Sequence, residues 1–186
     1  MYGSLTPLKQ GILRNIRIKV FPVLFCFLFA IQPGVAQQKA TDDLRKKAQQ
    51  AAAGLRVPAP DLLSPVKLNA RAVWSDNKKQ LAVIMKVEVL DSWHIYAYVP
   101  TDQPYIVSEL RLSPPDGLTP LEKWETPILY SYGDGIYVYK GSLLFVRYFS
   151  VKKAVEKKTM EVGLYYQTCD ISQCFPPELE MIKLTM

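Results

Sequence analysis

The chain has 186 residues, 23 Lys and Arg against 17 Asp and Glu, a formal charge of +6, and three cysteines. Its length is that of one ordinary domain with one hydrophobic core. Four of the bases, Lys9, Arg14, Arg17 and Lys19, fall in the first 36 residues, which hold no acid, so the remainder has 23 − 4 = 19 bases against 17 acids, or +2. That near balance gives no charge-based ground for a nucleic-acid partner.

The chain opens as a secretory signal. A basic leader is followed by the apolar run VFPVLFCFLFAI, Val20 to Ile31, which is short of the roughly 20 residues a bilayer span needs. Pro33-Gly34-Val35-Ala36 then offers small residues for cleavage after Ala36. The expectation is a signal peptide over 1–36, an exported, periplasmic location and no stable membrane insertion after cleavage. An uncleaved anchor is the alternative, and Pro22 and the run's length count against it. Cys26 lies in the leader, after the bulky Phe25, and leaves with it. The mature 186 − 36 = 150 residues keep two cysteines, Cys169 and Cys174. In an oxidising compartment such a pair persists as a disulfide.

Residues 37–65 are polar and rich in Ala, Gln and Lys. ATDDLRKKAQQAAAGL predicts a helix, with Thr41 or Asp42 as N-cap and Gly54 as its stop. It has few large apolar residues, so this segment reads as a tether with little to hold it to a core.

From Val66 onward, over 66–186, the texture is β. Lys67 to Ser75 is strand-like, and DNKK is a turn. Gln80 to Leu90 places Leu81, Val83, Met85, Val87 and Val89 on one face, with Lys86 and Glu88 on the other. Trp93 to Val99 is short and aromatic. Tyr105 to Ser113 ends at Pro114-Pro115-Asp116-Gly117, a strong turn signal. Tyr130 to Val151 contains turns at Gly133-Asp134-Gly135 and Lys140-Gly141. Glu161 to Thr168 runs into the first cysteine, and Glu178 to Met186 is a final strand expected to close the sheet. About seven to nine short runs separated by turn chemistry predict an antiparallel sandwich or barrel.

The segment TCDISQCFPPE, Thr168 to Glu178, is the candidate site. Facing strands would bring Cys169 and Cys174 within reach of a disulfide. A structural staple is one reading. Closing about six residues stabilises a fold by roughly 2 kcal/mol, near the low end of the range, so the most local placement is a weak staple. Redox exchange is the other, since a strained or exposed bond is easily reduced. Zinc would need the lone His94 and an acid, and the spacing is not that of zinc pairs; no metal or cofactor is expected. Two-residue thioredoxin spacing is absent too. His94 reads as a strand residue or, more sharply, as a base for the thiols. Asp170 would raise the pKa of its neighbour Cys169 by like-charge repulsion.

YYQTCDISQCFPPE resembles the active-site segment of the amino-terminal domain of DsbD, the thiol:disulfide interchange protein. SPVKLNA, DSWHIYAY and YSYGDGIYVYKGSLLF are similar to its first strands, its aromatic strand and its cap region, in order. The resemblance covers about Leu63 to Met186. It implies an all-β, immunoglobulin-like antiparallel sandwich with thiol-disulfide oxidoreductase activity, a function tied to cytochrome c biogenesis. Electrons would come from a membrane-embedded thiol reductase and pass to exported thioredoxin-like proteins. It implies that Cys174 bonds to the partner and Cys169 resolves that bond. It also implies that Tyr130 or Tyr132, within Tyr130-Ser131-Tyr132-Gly133, covers the sulfurs, with Tyr96 beside them. The cysteine loop and cap stretch are slightly shorter than in well-known members, and Ser131 falls near the aromatic cap position. A free-standing domain is expected, with separate donor and acceptor. The rival expectation is a non-catalytic binding or assembly module of the same fold with a permanent disulfide. Oligomeric state is not legible.

Overall fold

A computed structural model describes residues 39–186; the expected signal peptide, with Cys26, and the first two residues of the expected tether lie outside them. The described residues form one helix and eleven strands. Helix α1 (Asp42–Gly54) starts because Thr41 is extended and its hydroxyl accepts from the Leu44 N–H at 3.4 Å, with Asp42 and Asp43 in the first turn. Leu44, Ala48 and Ala52 then recur every four residues and make one buried stripe.

Three antiparallel sheets follow. The first has the order β1 (Val66–Trp74), β2 (Gln80–Val89), β8 (Ser142–Val151), β5 (Leu118–Pro120). The second runs β10 (Thr168–Cys169), β3 (His94–Tyr98), β7 (Ile136–Tyr139), β6 (Tyr130–Gly133). The third is β11 (Glu178–Thr185), β9 (Thr159–Tyr166), β4 (Glu109–Ser113). Leu81, Val83, Met85, Val87 and Val89 face inward from β2, as their alternation predicts, and meet Met160, Val162 and Leu164 of β9 and Leu184 of β11. Ile95 and Tyr139 reach this core from the second sheet. The result is the all-β, antiparallel sandwich class expected from the sequence, with the first and third sheets sharing one core.

Two expectations are corrected. The segment read as loosely held is docked: Leu44 is fully buried, and the α1 stripe packs on Ala82, Ile84, Val146 and Tyr148 of the first sheet's outer face. Small alanines let the helix approach closely, so few large side chains are needed. Arg45 adds ion pairs to Glu122 and Glu125 and lies 4.7 Å over the Tyr148 ring. The final strand does not close a sheet. β11 is an edge with one ladder neighbour, β9, and Leu184 is its buried contribution to the core. The two strands approach closely because Gly163, in β9 opposite Met181, has no side chain.

The run from Tyr105 to Ser113 is strand only from Glu109 onward. Ahead of it Val107 makes an isolated parallel bridge to Tyr96, and the Ser108 N–H donates to the Tyr96 carbonyl at 2.7 Å. This brings Tyr105 alongside the second sheet.

Candidate functional site: a disulfide on the second sheet

β9 ends at Tyr166, and the chain then changes sheets. Gln167 marks the crossing, and its side-chain carbonyl accepts from the Ile106 N–H at 3.0 Å. Thr168 and Cys169 pair with Ile95 and His94 of β3, and the Thr168 hydroxyl donates to the His94 carbonyl at 3.0 Å. The cysteines therefore do not lie on β9 and β11, which pair with each other from Tyr166 and Glu178 onward. They form a small hairpin of their own. Cys169 bridges Cys174, the Asp170 N–H donates to the Gln173 carbonyl at 2.9 Å, and the Phe175 N–H donates to the Thr168 carbonyl at 2.9 Å.

Cys169 and Cys174 are joined as a disulfide, with Cα atoms 4.1 Å apart. Their environments differ. Cys169 is 1% exposed, whereas Cys174 is exposed. Asp170 shapes the loop between them: its Oδ1 accepts from the Ser172 N–H at 2.7 Å, the Ser172 hydroxyl at 2.8 Å and the Gln173 N–H at 2.8 Å. The backbone hydrogen bond from Ser172 is the main reason its carboxyl is held below the usual range. Ile171, at the loop tip, is 95% exposed. Phe175 anchors the far side of the loop against Trp93, ring centroids 5.0 Å apart.

A hollow of about 260 Å³ opens beside the disulfide, lined by both cysteines, Tyr96, Tyr105 and Tyr132 among others. A second, of about 570 Å³, is lined by Trp93, His94, Tyr130, Tyr132, Lys140 and Ile171 among others. Tyr132 and Ile171 belong to both. Tyr96 is fully buried and stacks on Tyr105 at 4.6 Å; burial first, then the neighbouring Tyr105 and Tyr132, push its hydroxyl well above the ordinary tyrosine value.

Of the residues singled out in the sequence, Cys169, Cys174, Tyr96 and Tyr132 line one hollow. Tyr130 is set in the adjoining one, its ring beneath the Lys140 ammonium at 4.7 Å. Gly133 supplies backbone: at φ +101° it opens the turn from β6 to β7, a conformation costly for other residues. The stretch Tyr130–Gly133 is edge strand β6 rather than a loop.

Sequence reasoning missed Tyr105 as a site member; His94, read from the sequence as a strand residue or a base for the thiols, is placed beside the pair. His94 is 5% exposed and lies directly opposite Cys169 in the ladder. Its ring meets Tyr96 edge-on at 5.2 Å and Tyr132 at 4.4 Å. Its place at i−2 from Tyr96 puts both residues on the same strand face. Among the described residues no group of three or more His, Cys, Asp and Glu is gathered as a metal site would require. No helix among them is long and apolar enough to cross a membrane.

Fold and site together define a β-sandwich that presents a disulfide, one sulfur-bearing residue outward and one inward, in an aromatic hollow. No family model matches the chain, and no curated protein matches it. Among solved structures it is similar to the amino-terminal domain of DsbD from Neisseria meningitidis in the reduced form, at 18% identity over 56% of this chain and 77% of that one, TM-score 0.37. It is also similar to the complex between the DsbD and PilB amino-terminal domains of the same organism, at 17% identity, covering 62% and 80%, TM-score 0.38. The GAE domain of yeast GGA1 is similar at 10% identity, covering 70% and 98%, TM-score 0.40. These likenesses concern β architecture; residue roles rest on this chain's own geometry.

Proposed function

We propose that this protein is an exported thiol-disulfide exchange protein working through Cys169 and Cys174. It relays reducing equivalents from a membrane-embedded thiol reductase to exported thioredoxin-like proteins. The observation that carries the reading is the asymmetry of the pair: Cys174 exposed, Cys169 buried. A donor thiolate attacks Cys174 Sγ, the bond to Cys169 breaks, and the electron pair leaves on Cys169 Sγ. The donor's second thiol then displaces Cys174, leaving the pair reduced. In the forward half-reaction the Cys174 thiolate attacks the acceptor disulfide, and Cys169 attacks Cys174 Sγ to release the reduced acceptor. Each half transfers two electrons.

Tyr132 and Tyr96 flank the pair and Tyr130 stands one hollow away, so the aromatic wall would admit a docked protein thiol at Cys174 and keep bulk reductant off Cys169. The exposed Ile171 beside the opening supports docking of a protein partner there. The test is Cys169→Ser in the native cell. A mixed disulfide through Cys174 to a thioredoxin-like protein is expected to accumulate, and none should form with Cys174→Ser. A titrated potential below about −300 mV would instead identify the bond as structural, in a non-catalytic module.

A further inference from the structure

His94, Cys169 and Cys174 stand in one row across the second sheet. Cys169 is paired on one side with His94 and on the other with Cys174, both antiparallel. Directly opposed residues of antiparallel strands project to the same face, with Cβ atoms about 4.5–5.5 Å apart. The imidazole is thus neighbour to the buried sulfur and one strand further from the exposed one. Its Nε2 is buried and has no hydrogen-bond partner among the described residues. Buried polar nitrogens are nearly always paired, and leaving one unpaired is costly. A buried thiol poses the complementary problem. The thiolate is the nucleophile, so Cys169 must shed its proton in order to attack once the disulfide is open.

We propose that His94 is the base for Cys169, taking its thiol proton on Nε2 as Cys169 attacks Cys174 in the resolving step. This rests on the exchange reading given above. The S–H bond of Cys169 breaks and its proton passes to Nε2. The sulfur electron pair forms the Cys169–Cys174 bond, and the partner leaves Cys174 as a thiolate. On reduction the steps reverse: the imidazolium returns its proton to the departing Cys169 sulfur. The oxidant is the partner's disulfide and the reductant the donor's dithiol, so electrons balance in both directions.

The surroundings suit a neutral base. Burial is the main cause holding the imidazole below its ordinary value, Lys140 acts in the same direction, and Asp170 opposes them. Lys140 and Asp170 are the charges that act on it, and Asp91 lines the same hollow; the titratable rings beside it are Tyr96 and Tyr132, in ring contact, and Tyr130 in that hollow. At neutral pH His94 is then free of a proton and able to accept one.

The reduced protein, reacted with an aromatic disulfide such as dithiobis(nitrobenzoate), tests this directly. Cys174 releases one coloured thiolate on attack, and Cys169 releases the second when it resolves the mixed disulfide. In the wild type the second phase should rise with pH, bend below about 6.5, the ordinary imidazole value, and then level off. In His94→Gln it should be about 10²-fold slower at pH 7, in line with general-base catalysis, and climb without that bend. Equal second-phase rates and profiles in the two proteins would overturn the role of His94 while leaving the exchange reading intact. A wild type that releases only one thiolate would overturn the exchange reading itself, and this proposal with it. Should His94→Gln fail to fold, the wild type still decides. The titration midpoint of the His94 ring protons by NMR, in the protein held with Cys174 blocked, must coincide with the kinetic bend, and a mismatch sinks the proposal.

Discussion

Single residues carry constraints here that composition does not reveal. A Cβ built on Gly163 would collide with the Glu180 carbonyl oxygen and come within 2.9 Å of Met181 Cα, both backbone atoms of β11. A side chain there cannot be accommodated by a rotamer change, because the obstacle is the partner strand itself. Gly163→Ala should therefore push β11 off β9 and destabilise the fold by at least the roughly 1–3 kcal/mol typical of overpacking. Urea denaturation is the measurement, and an unchanged midpoint would refute the close-approach account. Gly54 makes the contrast: a Cβ there would meet nothing within 4 Å. The disulfide was legible as a pair, from two cysteines on a short loop between strand-like runs in a chain that reads as exported. The opposition of His94 to Cys169 was not, because it depends on the chain leaving the third sheet at Gln167 and joining the second, and no local pattern encodes that register.

Among the elements, β2 is the clearest case of sequence dictating structure. Its inward residues alternate without a break from Leu81 to Val89. The outward positions carried a second message that was overlooked: Ala82 and Ile84 are apolar where Lys86 and Glu88 are charged. That split marks how far α1 covers the strand, since Ala82 and Ile84 are fully buried beneath it and Lys86 is not. The helix itself was legible from Thr41 and the glycine stop, but its attachment was not, because Ala48 and Ala52 do not read as core residues out of context. Leu44 is the one large side chain in the stripe. Leu44→Ala should cost about 2–5 kcal/mol, the range for truncating a buried leucine, and should speed amide exchange along α1 before the sandwich loosens. If α1 were only a tether, the same substitution would leave thermal unfolding where it was.

For the molecule as a whole, the main core and the disulfide are separate. The buried side chains of the large cluster come from β1, β2, β3, β7, β8, β9 and β11, whereas Cys169 belongs to a small cluster with Tyr96, Ile136 and Val138. Opening the bond therefore leaves the larger cluster's contacts in place. A closed loop of about six residues contributes roughly 2 kcal/mol, so reduction should lower the melting temperature by about 4–8 °C for a chain of this size. Circular dichroism of the oxidised and reduced forms would check this; loss of the β signal on reduction at 25 °C would mean that the bond holds the sandwich together. The all-β class was legible because alternation and turn residues are local signals. The division into three sheets was not, since β9 feeds two of them through one residue.

That crossing at Gln167 has a geometric sequel. Cys169 and Cys174 are separated by five chain steps of about 3.6 Å, roughly 18 Å at full stretch, against 4.1 Å while bonded. Cleaving the bond does not release that whole length, because the next residue, Phe175, stays tied to the Thr168 carbonyl and to Trp93. An incoming protein therefore meets the exposed sulfur close to where it stood while bonded, and the give lies in residues 170–173.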